Sequence, residues 1–282
     1  MIRLGLIGYP LSHSLSPKLH AAAFKALGMD GEYQLYPVAP DDSEGLAKLA
    51  GRVRKGELHG LNVTIPHKQT VVLLLDELTP SAQAIGAVNT LYLKNERLIG
   101  HNTDAPGFLA DLATFLTNGV IEKKALVLGA GGAARAVVYA LLTDGWNVTL
   151  AVRRADVGQA EALIESFKRQ AGAGSMRSVL LEAGDLSQLG SGMRLVVNAT
   201  PNGMSPETEI SPWPVGLPFP HEAAVYDLVY NPRQTRLVQE ARTAGLRATT
   251  GLGMLVEQAA LSFACWTGRD VPREVMFAAA EA

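Results

Sequence analysis

The sequence predicts an α/β protein built of two lobes, and three observations support this. The chain has 282 residues, which is long for one ordinary domain and sufficient for two. Strand-like and helix-like runs alternate along most of it, as is typical of a largely parallel sheet joined by helices. A glycine-rich turn near residue 130 begins the same alternation again. We therefore expect two sheets, each with its own helical cover.

The N-terminal half supplies the first sheet. Its strand-like runs cover 2–8, 32–38 and 58–65, and its helix-like runs cover 16–27, 43–53 and 67–75. Ser16 is expected to cap the first helix, and Pro17 to lie in the first turn, where its missing N–H costs nothing. Two short strands around the polar turn KNER, residues 94–97, are expected to form a hairpin at the edge of a mixed sheet.

The second half repeats the pattern of strand, glycine-rich turn, helix and strand over residues 123–154. Buried-strand candidates follow at 193–200 and 223–230. Two C-terminal segments, 251–268 and 271–282, are helical by length and composition, but no further strands follow for them to cover. We therefore expect these helices to return to the first lobe.

The boundary between the lobes is expected where the second alternation begins, between Asp104 and Gly107. The predicted domains are residues 1–104 with 245–282, and residues 105–244.

Composition excludes several classes of protein. The formal net charge is −2, without blocks of like charge, so nucleic acid is not an expected partner. No apolar run approaches the length of a membrane span and the N-terminus lacks a signal peptide, so a cytoplasmic location is expected. Cys265 is the only cysteine, and the six histidines are scattered. Neither an internal disulfide nor a metal site is expected.

The second glycine-rich segment has the spacing of a dinucleotide-binding turn. Gly129, Gly131 and Ala134 match G-x-G-x-x-A directly after a strand and at the start of a helix. Such glycines allow a pyrophosphate to approach the backbone N–H groups at the helix end. The simpler alternative is an ordinary glycine turn between a strand and a helix.

The end of the next strand indicates which dinucleotide is bound. Enzymes that use NAD usually place a carboxylate there for the ribose hydroxyls, but this chain has Arg153 and Arg154, with no acid before Asp156. Two guanidinium groups suit the 2′-phosphate of NADP. In the simpler alternative, the arginines only solvate the strand end.

A nicotinamide enzyme also needs a group that moves a proton. One cysteine cannot supply the ligands of a zinc alcohol dehydrogenase, and none of the seven tyrosines begins a Tyr-x-x-x-Lys motif. A polar set remains at the ends of the first-lobe elements, and it consists of Asn62, Thr64, Lys68, Asn89 and Asp104.

Eight motifs in a fixed order give the chain a resemblance to the shikimate dehydrogenase family. They are GYPLSHSLSP, NVTIPHK, GAVNT, NTD, GAGGAARA, NATPNGM, YNP and GLGMLVEQA, and they extend over nearly the whole sequence. The resemblance implies a substrate-binding lobe and a Rossmann-like NADP-binding lobe. It also implies reversible, NADPH-dependent reduction of 3-dehydroshikimate to shikimate, a step in the biosynthesis of chorismate and the aromatic amino acids.

The same resemblance assigns the catalytic pair to Lys68 and Asp104. An ammonium beside a carboxylate in a cleft can bind the reacting oxygen, polarise a carbonyl and pass a proton. Burial lowers the pKa of a lysine and a neighbouring aspartate raises it, so the sequence leaves open which residue donates the proton.

The family's substrate and cofactor positions follow from the same motifs. For the substrate carboxylate they are Ser14, Ser16 and Tyr230, and for the ring hydroxyls Asn62, Thr64, Asn89, Asp104 and Gln258. For NADP they are Gly129, Ala130, Gly131, Gly132, Ala133, Arg153, Arg154, Thr200, Leu228, Gly251 and Met254. The chain departs from the family at Val152-Arg153-Arg154, where Asn-Arg-Thr or Asn-Arg-Ser is common, so contacts on the adenine side of the cofactor are expected to differ.

Three alternatives accompany this interpretation. Each residue taken alone has a simpler role: the serines as turn or cap residues, Lys68 as a solvated lysine, and Asp104 as a helix cap. The protein could be a quinate or mixed quinate/shikimate dehydrogenase with relaxed cofactor preference, or a homologue that binds ligand without catalysis. The sequence leaves the choice between monomer and homodimer open.

Overall fold

The structure is a computed structural model that describes residues 1–116, 122–168, 175–189 and 192–282. The chain divides into two compact units, Met1–Gly107 with Leu255–Ala282, and Phe108–Met254. Each unit has its own six-stranded sheet. The predicted α/β class with two sheets is confirmed. Within the described ranges, no helix is both long and apolar enough to span a membrane.

The first unit contains a mixed sheet of strand order β2-β1-β3-β5-β6-β4. Its strands are β1 (Ile2–Gly8), β2 (Gly31–Pro37), β3 (Gly60–Val63), β4 (Glu77–Leu78), β5 (Thr90–Lys94) and β6 (Arg97–His101). β1 pairs in parallel with β2 and β3, whereas β5 runs antiparallel to both of its neighbours. The carboxyl ends of β1 and β3 therefore lie at one edge of the sheet.

The first unit also contains several α-helices. They are α1 (Ser16–Ala26), α2 (Ser43–Arg54), α3 (Pro80–Ile85), the start of α4 (Asp104–Phe115), most of α9 (Leu252–Thr267), and α10 (Arg273–Glu281). α10 packs against α1. At Gly60 an added Cβ would lie 2.1 Å from the indole nitrogen of Trp266. Glycine at this position thus lets α9 pack closely on β3.

The second unit contains a wholly parallel sheet of order β12-β11-β10-β7-β8-β9. Its strands are β7 (Lys124–Leu128), β8 (Asn147–Val152), β9 (Met176–Leu180), β10 (Leu195–Asn198), β11 (Ala224–Asp227) and β12 (Ala248–Thr250). Its helices are α5 (Gly132–Thr143), α6 (Val157–Lys168), α7 (Ala183–Ser187) and α8 (Arg236–Thr243). The buried central strands explain the continuous apolar runs in the sequence.

Three local predictions for the first unit are wrong. Leu15, not Ser16, is the N-cap of α1; Ser16 is its first residue, and its N–H donates to Ser14 Oγ at 3.3 Å. Residues 67–75 form only a short 3₁₀ helix, Thr70–Leu74. The β5–β6 hairpin lies inside the sheet because the two-residue strand β4 covers its outer side.

The turn of that hairpin was predicted correctly. Asn95 and Glu96 link β5 to β6 with φ angles of 50° and 61°. Two consecutive residues with positive φ form the turn that matches the twist of two antiparallel strands, and asparagine tolerates this conformation better than most residues.

The predicted cuts between the domains follow residues 104 and 244, whereas the units meet after Gly107 and Met254. Both observed cuts lie inside helices, α4 and α9. Composition and loop signals cannot mark such a boundary, because the local pattern on either side remains helical.

Candidate active site

Lys68 and Asp104 meet in the first unit, although 36 positions separate them in the sequence. Lys68 Nζ donates to Asp104 Oδ2 at 2.7 Å, and only 15% and 5% of their side chains are exposed. Lys68 follows the turn after β3, where its carbonyl accepts a hydrogen bond from the N–H of Val88. The pair is therefore largely sheltered from solvent.

Asp104 is held from two sides. It begins α4, and the N–H groups of Asp104 and Ala105 donate to Asn102 Oδ1 at 3.1 and 3.2 Å. Asn89 Nδ2 donates to the second carboxylate oxygen, Oδ1, at 2.9 Å. An acidic side chain in the first helical turn is also stabilised by the helix dipole. The carboxylate is therefore fixed before any ligand binds.

Asn89 connects this pair to α9. Its Nδ2 also donates to Gln258 Oε1 at 3.3 Å, and its Oδ1 accepts from the N–H of Thr103 at 2.8 Å. Asn89 and Thr103 are buried, at 2% and 0% exposure. The network therefore joins four of the predicted residues, Lys68, Asp104, Asn89 and Gln258.

Asn62, on β3, belongs to the same network. Its Nδ2 donates to the carbonyl of Asn89 at 2.9 Å and to Ser262 Oγ at 3.0 Å, and its Oδ1 accepts from Tyr33 Oη at 2.8 Å. Ser262 lies one helical turn after Gln258 on α9 and donates to its carbonyl. Five predicted polar side chains thus share one hydrogen-bonded cluster.

Of the remaining predicted residues of the first unit, Thr64 directly follows β3, and Ser14 and Ser16 lie at the start of α1. Ser14 and Ser16 bond to each other at the start of α1, as described above, and Ser16 is buried. The N–H of Thr64 donates to the carbonyl of Ile7, and an added Cβ at Gly8 would lie 2.3 Å from Thr64 Cγ2. Among the described side chains, the structure shows no direct hydrogen bond from these residues to Lys68 or Asp104.

Sequence reasoning missed several residues of this cluster, namely Tyr33, Thr90, Asn102, Thr103 and Ser262. The motifs GAVNT and NTD contain Thr90, Asn102 and Thr103. Their position beside Asn89 and Asp104 could therefore have identified them. Tyr33 and Ser262 had no local signal, because a tyrosine in a strand and a serine in a helix are ordinary.

The glycine-rich turn of the second unit follows β7 and leads into α5. Gly129 has φ +101°, a conformation that side-chain-bearing residues avoid, and Gly131 is the N-cap of α5. No side chain caps α5, and nothing lies within 4 Å of a Cβ built at Gly131. Together with Ala130, Gly132 and Ala133, this turn leaves the first N–H groups of the helix available to a phosphate.

The two predicted phosphate-binding arginines are exposed and each is paired with an acid. Arg153 Nε donates to Asp156 Oδ2 at 2.6 Å, and Arg154 donates to Glu182 Oε1 at 3.2 Å. Three quarters of each arginine side chain is exposed. Their remaining guanidinium N–H groups can therefore reach a ligand without breaking a buried contact.

The other predicted cofactor residues lie at the carboxyl ends of β10, β11 and β12. Thr200 donates through its N–H and its hydroxyl to Asn198 Oδ1, at 3.0 and 2.7 Å. An added Cβ at Gly251 would lie 2.3 Å from the carbonyl oxygen of Leu228, so only glycine fits there. Met254, in the first turn of α9, is buried. Tyr230, which was predicted to contact the substrate carboxylate, is half-buried.

A buried carboxylate, Asp227, organises these strand ends. It accepts from Asn198 Nδ2 at 2.8 Å, from the N–H of Val229 at 3.0 Å and from Thr235 Oγ1 at 2.6 Å. Burial raises the pKa of Asp227 to about 6, while these hydrogen bonds lower it. The three hydrogen bonds therefore hold the last residue of β11, from which the segment 228–230 continues.

No group of three or more histidine, cysteine, aspartate or glutamate side chains in the described ranges could hold a metal ion.

Comparison with known proteins gives consistent similarities. Residues 6–91 match the shikimate dehydrogenase substrate binding domain, and residues 251–281 match the shikimate 5'-dehydrogenase C-terminal domain. A shikimate dehydrogenase (NADP(+)) of Methanopyrus kandleri is 42% identical over 273 residues, which cover 97% of this chain and 92% of that protein.

Solved structures show the same similarity. Shikimate 5-dehydrogenase from Thermus thermophilus, in complex with NADP(H) and shikimate, has a TM-score of 0.85 and 40% identity, covering 100% of this chain and 99% of that one. Quinate dehydrogenase from Corynebacterium glutamicum, in complex with NAD, has a TM-score of 0.86 and 32% identity, covering 99% and 98%.

Proposed function

Because the chain belongs to the shikimate dehydrogenase family, we propose that it catalyses the reversible, NADPH-dependent reduction of 3-dehydroshikimate to shikimate. The observation that carries the proposal is the sheltered Lys68–Asp104 pair, tied to Asn89 and Gln258 in one network. A partly exposed ammonium beside a carboxylate can bind a carbonyl oxygen and also pass it a proton, as catalysis requires.

In the proposed reaction, Lys68 and Asp104 act on the oxygen of the substrate carbonyl. The ammonium donates a hydrogen bond to that oxygen and stabilises the negative charge that develops on it during reduction. The pair also supplies the proton that the oxygen takes up. Since Asn89 and the start of α4 hold the carboxylate, little reorganisation is needed during the reaction.

Further residues of the first unit would bind the substrate. Ser14 and Ser16, at the start of α1, suit its carboxylate, because hydroxyls and helical N–H groups favour an anion. Asn62, Thr64, Asn89 and Gln258 suit the ring hydroxyls. A site that hydrogen-bonds a polyol rejects analogues that leave its buried polar groups unpaired.

The second unit has the features that NADP requires. The uncapped start of α5 and the open space at Gly131 fit a pyrophosphate, and the exposed arginines Arg153 and Arg154 fit a 2′-phosphate. Leu228 and Met254 would lie beside the nicotinamide, and Thr200 and Gly251 would be further contacts to the cofactor. When bound, the nicotinamide supplies the hydride for the carbonyl carbon.

A quinate or mixed quinate/shikimate dehydrogenase is the second candidate, since the quinate dehydrogenase described above has the same fold. The arginines after β8 favour NADP, whereas that relative was solved with NAD. The cytoplasmic location, the absence of a nucleic-acid partner and the choice between monomer and homodimer stay predictions.

An absorbance assay at 340 nm tests the proposal. The purified protein is given shikimate or quinate, each with NADP or NAD. We expect the highest kcat/KM with shikimate and NADP. A preference for quinate or for NAD would establish the second candidate, and binding of shikimate without reduction of NADP would establish a non-catalytic homologue.

A further inference from the structure

The side-chain amide of Asn62 is fixed in a single orientation. A terminal amide can turn by 180° and exchange its donor for its acceptor with little change in shape. Asn62 is buried at 5% exposure on β3, within the cluster proposed to recognise the ring hydroxyls. Its orientation therefore decides whether the substrate meets a donor or an acceptor.

A partner that can only accept a hydrogen bond determines the position of the amide nitrogen. Asn62 Nδ2 lies 2.9 Å from the main-chain carbonyl oxygen of Asn89, so the turned amide would set two oxygens against each other. Ser262 Oγ lies 3.0 Å from the same nitrogen and accepts its second N–H. Ser262 Oγ donates its own proton to the carbonyl of Gln258, at 2.9 Å, and its lone pairs can accept from Asn62.

The amide oxygen then occupies the other position, where its partner must donate a hydrogen bond. Since the nitrogen faces Asn89, Oδ1 faces Tyr33, and the hydroxyl at 2.8 Å is the donor. The Tyr33 ring stacks on His20, with ring centroids 4.1 Å apart and an angle of 6° between the planes. Burial keeps His20 neutral, because it lowers the pKa of this histidine to about 3.

Tyr33 and Ser262 lie outside the motifs that the sequence analysis connected to the substrate. Tyr33 is on β2, two strands from β3, and its side chain reaches past β1. Ser262 comes from α9, near the C-terminus of the chain. Together they contact both polar atoms of one amide, Tyr33 at Oδ1 and Ser262 at Nδ2.

We propose that Tyr33 and Ser262 are positioning residues that fix the amide of Asn62 for recognition of a substrate ring hydroxyl. This inference rests on the proposed function, since it takes Asn62 as a substrate contact. The two residues act through Asn62, so their loss weakens substrate binding and leaves the hydride and proton transfers at Lys68 and Asp104 largely intact.

The test uses Y33F and S262A, each with a matched control. Y33F keeps the stacked ring and removes the hydroxyl; Y36F removes a hydroxyl from the same strand, where it donates to Gln34 Oε1 at the exposed surface. S262A is matched by T267V, which removes a hydroxyl bonded to the carbonyl one turn earlier on the same helix.

We expect the KM for shikimate to rise about fivefold in Y33F and in S262A, as is typical for the loss of one hydrogen bond. The kcat is expected to change less than about twofold, and the KM for NADP to stay at the wild-type value. Y36F and T267V should match the wild type in all three constants. Equal KM values for shikimate in Y33F, S262A and the wild type would overturn the inference.

A double-mutant cycle distinguishes positioning from general support of the fold. If Tyr33 acts through Asn62, adding Y33F to N62A should not raise the KM for shikimate further. A rise of about fivefold in both backgrounds would mean that Tyr33 acts independently of Asn62, and would overturn the proposal.

A measurement without substrate separates this inference from the proposed function. In NMR spectra of the ligand-free protein, the Asn62 side-chain amide signals, assigned by their absence in N62A, should exchange faster with solvent in Y33F and S262A than in the wild type. Unchanged exchange would count against positioning. A wild-type protein inactive with shikimate would instead refute the proposed function, whatever the exchange rates.

Discussion

The two units of the molecule hold their charged site residues in opposite ways. In the first, Lys68 and Asp104 form a sheltered pair whose carboxylate also accepts from Asn89. In the second, Arg153 and Arg154 lie at the surface, and each is paired with a single acid. The first arrangement is already formed, whereas the second can exchange its partners.

This difference follows from what each site is proposed to do. A group that stabilises charge in a transition state works best when it is oriented in advance and shielded from water. A phosphate carries its own charge and can displace a weak surface ion pair, whose contribution to stability is small. Substitutions in the first site should therefore affect turnover, and substitutions in the second should affect cofactor binding.

The largest expected effect is that of K68A. Loss of the ammonium removes both charge stabilisation and proton transfer, so kcat should fall by about 10⁴-fold. The 340 nm assay with saturating shikimate and NADP measures it. The control is K123A, which breaks another Lys–Asp pair, at 2.9 Å, in the second unit. Near-normal turnover in K68A would remove the proposed contrast between the two sites.

The second prediction concerns buried His20 in the first unit. The unfolded chain binds a proton on this histidine near pH 6.5, but the folded protein binds it only near pH 3. Because the unfolded state holds more protons between these values, stability should fall as the pH drops through this range. The wild type should lose at most about 5 kcal/mol of unfolding free energy relative to H20F.

Urea unfolding of the wild type and H20F from pH 7 to pH 4 measures this difference. H221F, which replaces an exposed histidine, is the control and should follow the wild type. Parallel curves for the wild type and H20F would show that His20 is protonated in the folded protein as easily as in the unfolded chain.

For Asp227, in the second unit, we expect the opposite dependence of stability on pH. The folded protein keeps the proton of this carboxyl up to about pH 6, whereas the unfolded chain releases it near pH 3.8. The folded state therefore holds more protons between these values, and stability should decrease as the pH rises through them. Relative to D227N, the wild type should lose about 3 kcal/mol or less between pH 4 and pH 6.

The same urea titrations measure this effect, with D41N as the control because Asp41 is exposed. A stability difference between the wild type and D227N that is independent of pH would show that the three hydrogen bonds to Asp227 outweigh its burial.

The smallest predicted effect is that of R153A. Loss of one guanidinium should raise the KM for NADP about tenfold and leave the constants for NAD and shikimate close to those of the wild type. R236A is the control, since Arg236 is another exposed arginine paired with an acid, Glu240, at 2.8 Å. An unchanged preference for NADP over NAD in R153A would assign the 2′-phosphate to another group.

The fold could largely be predicted from local patterns. The alternation of strands and helices, the glycine turn at Gly129 and the C-terminal helices are all present. The errors lie where short-range signals conflict. The sequence S-P at 16–17 indicates a serine cap, but the structure begins α1 at Ser16 itself, with Ser14 bonding to its N–H.

The sequence by itself determined the family, through eight ordered motifs, and the types of side chain available for catalysis and phosphate binding. The resemblance also paired Lys68 with Asp104. Only the tertiary structure decided which side chains support that pair and its neighbours: Asn102 at the start of α4, and Tyr33 and Ser262 on the amide of Asn62. The reason is physical. Local propensity acts over a few residues, whereas a hydrogen bond between Asn62 and Ser262 joins positions 200 apart and depends on how β3 and α9 pack.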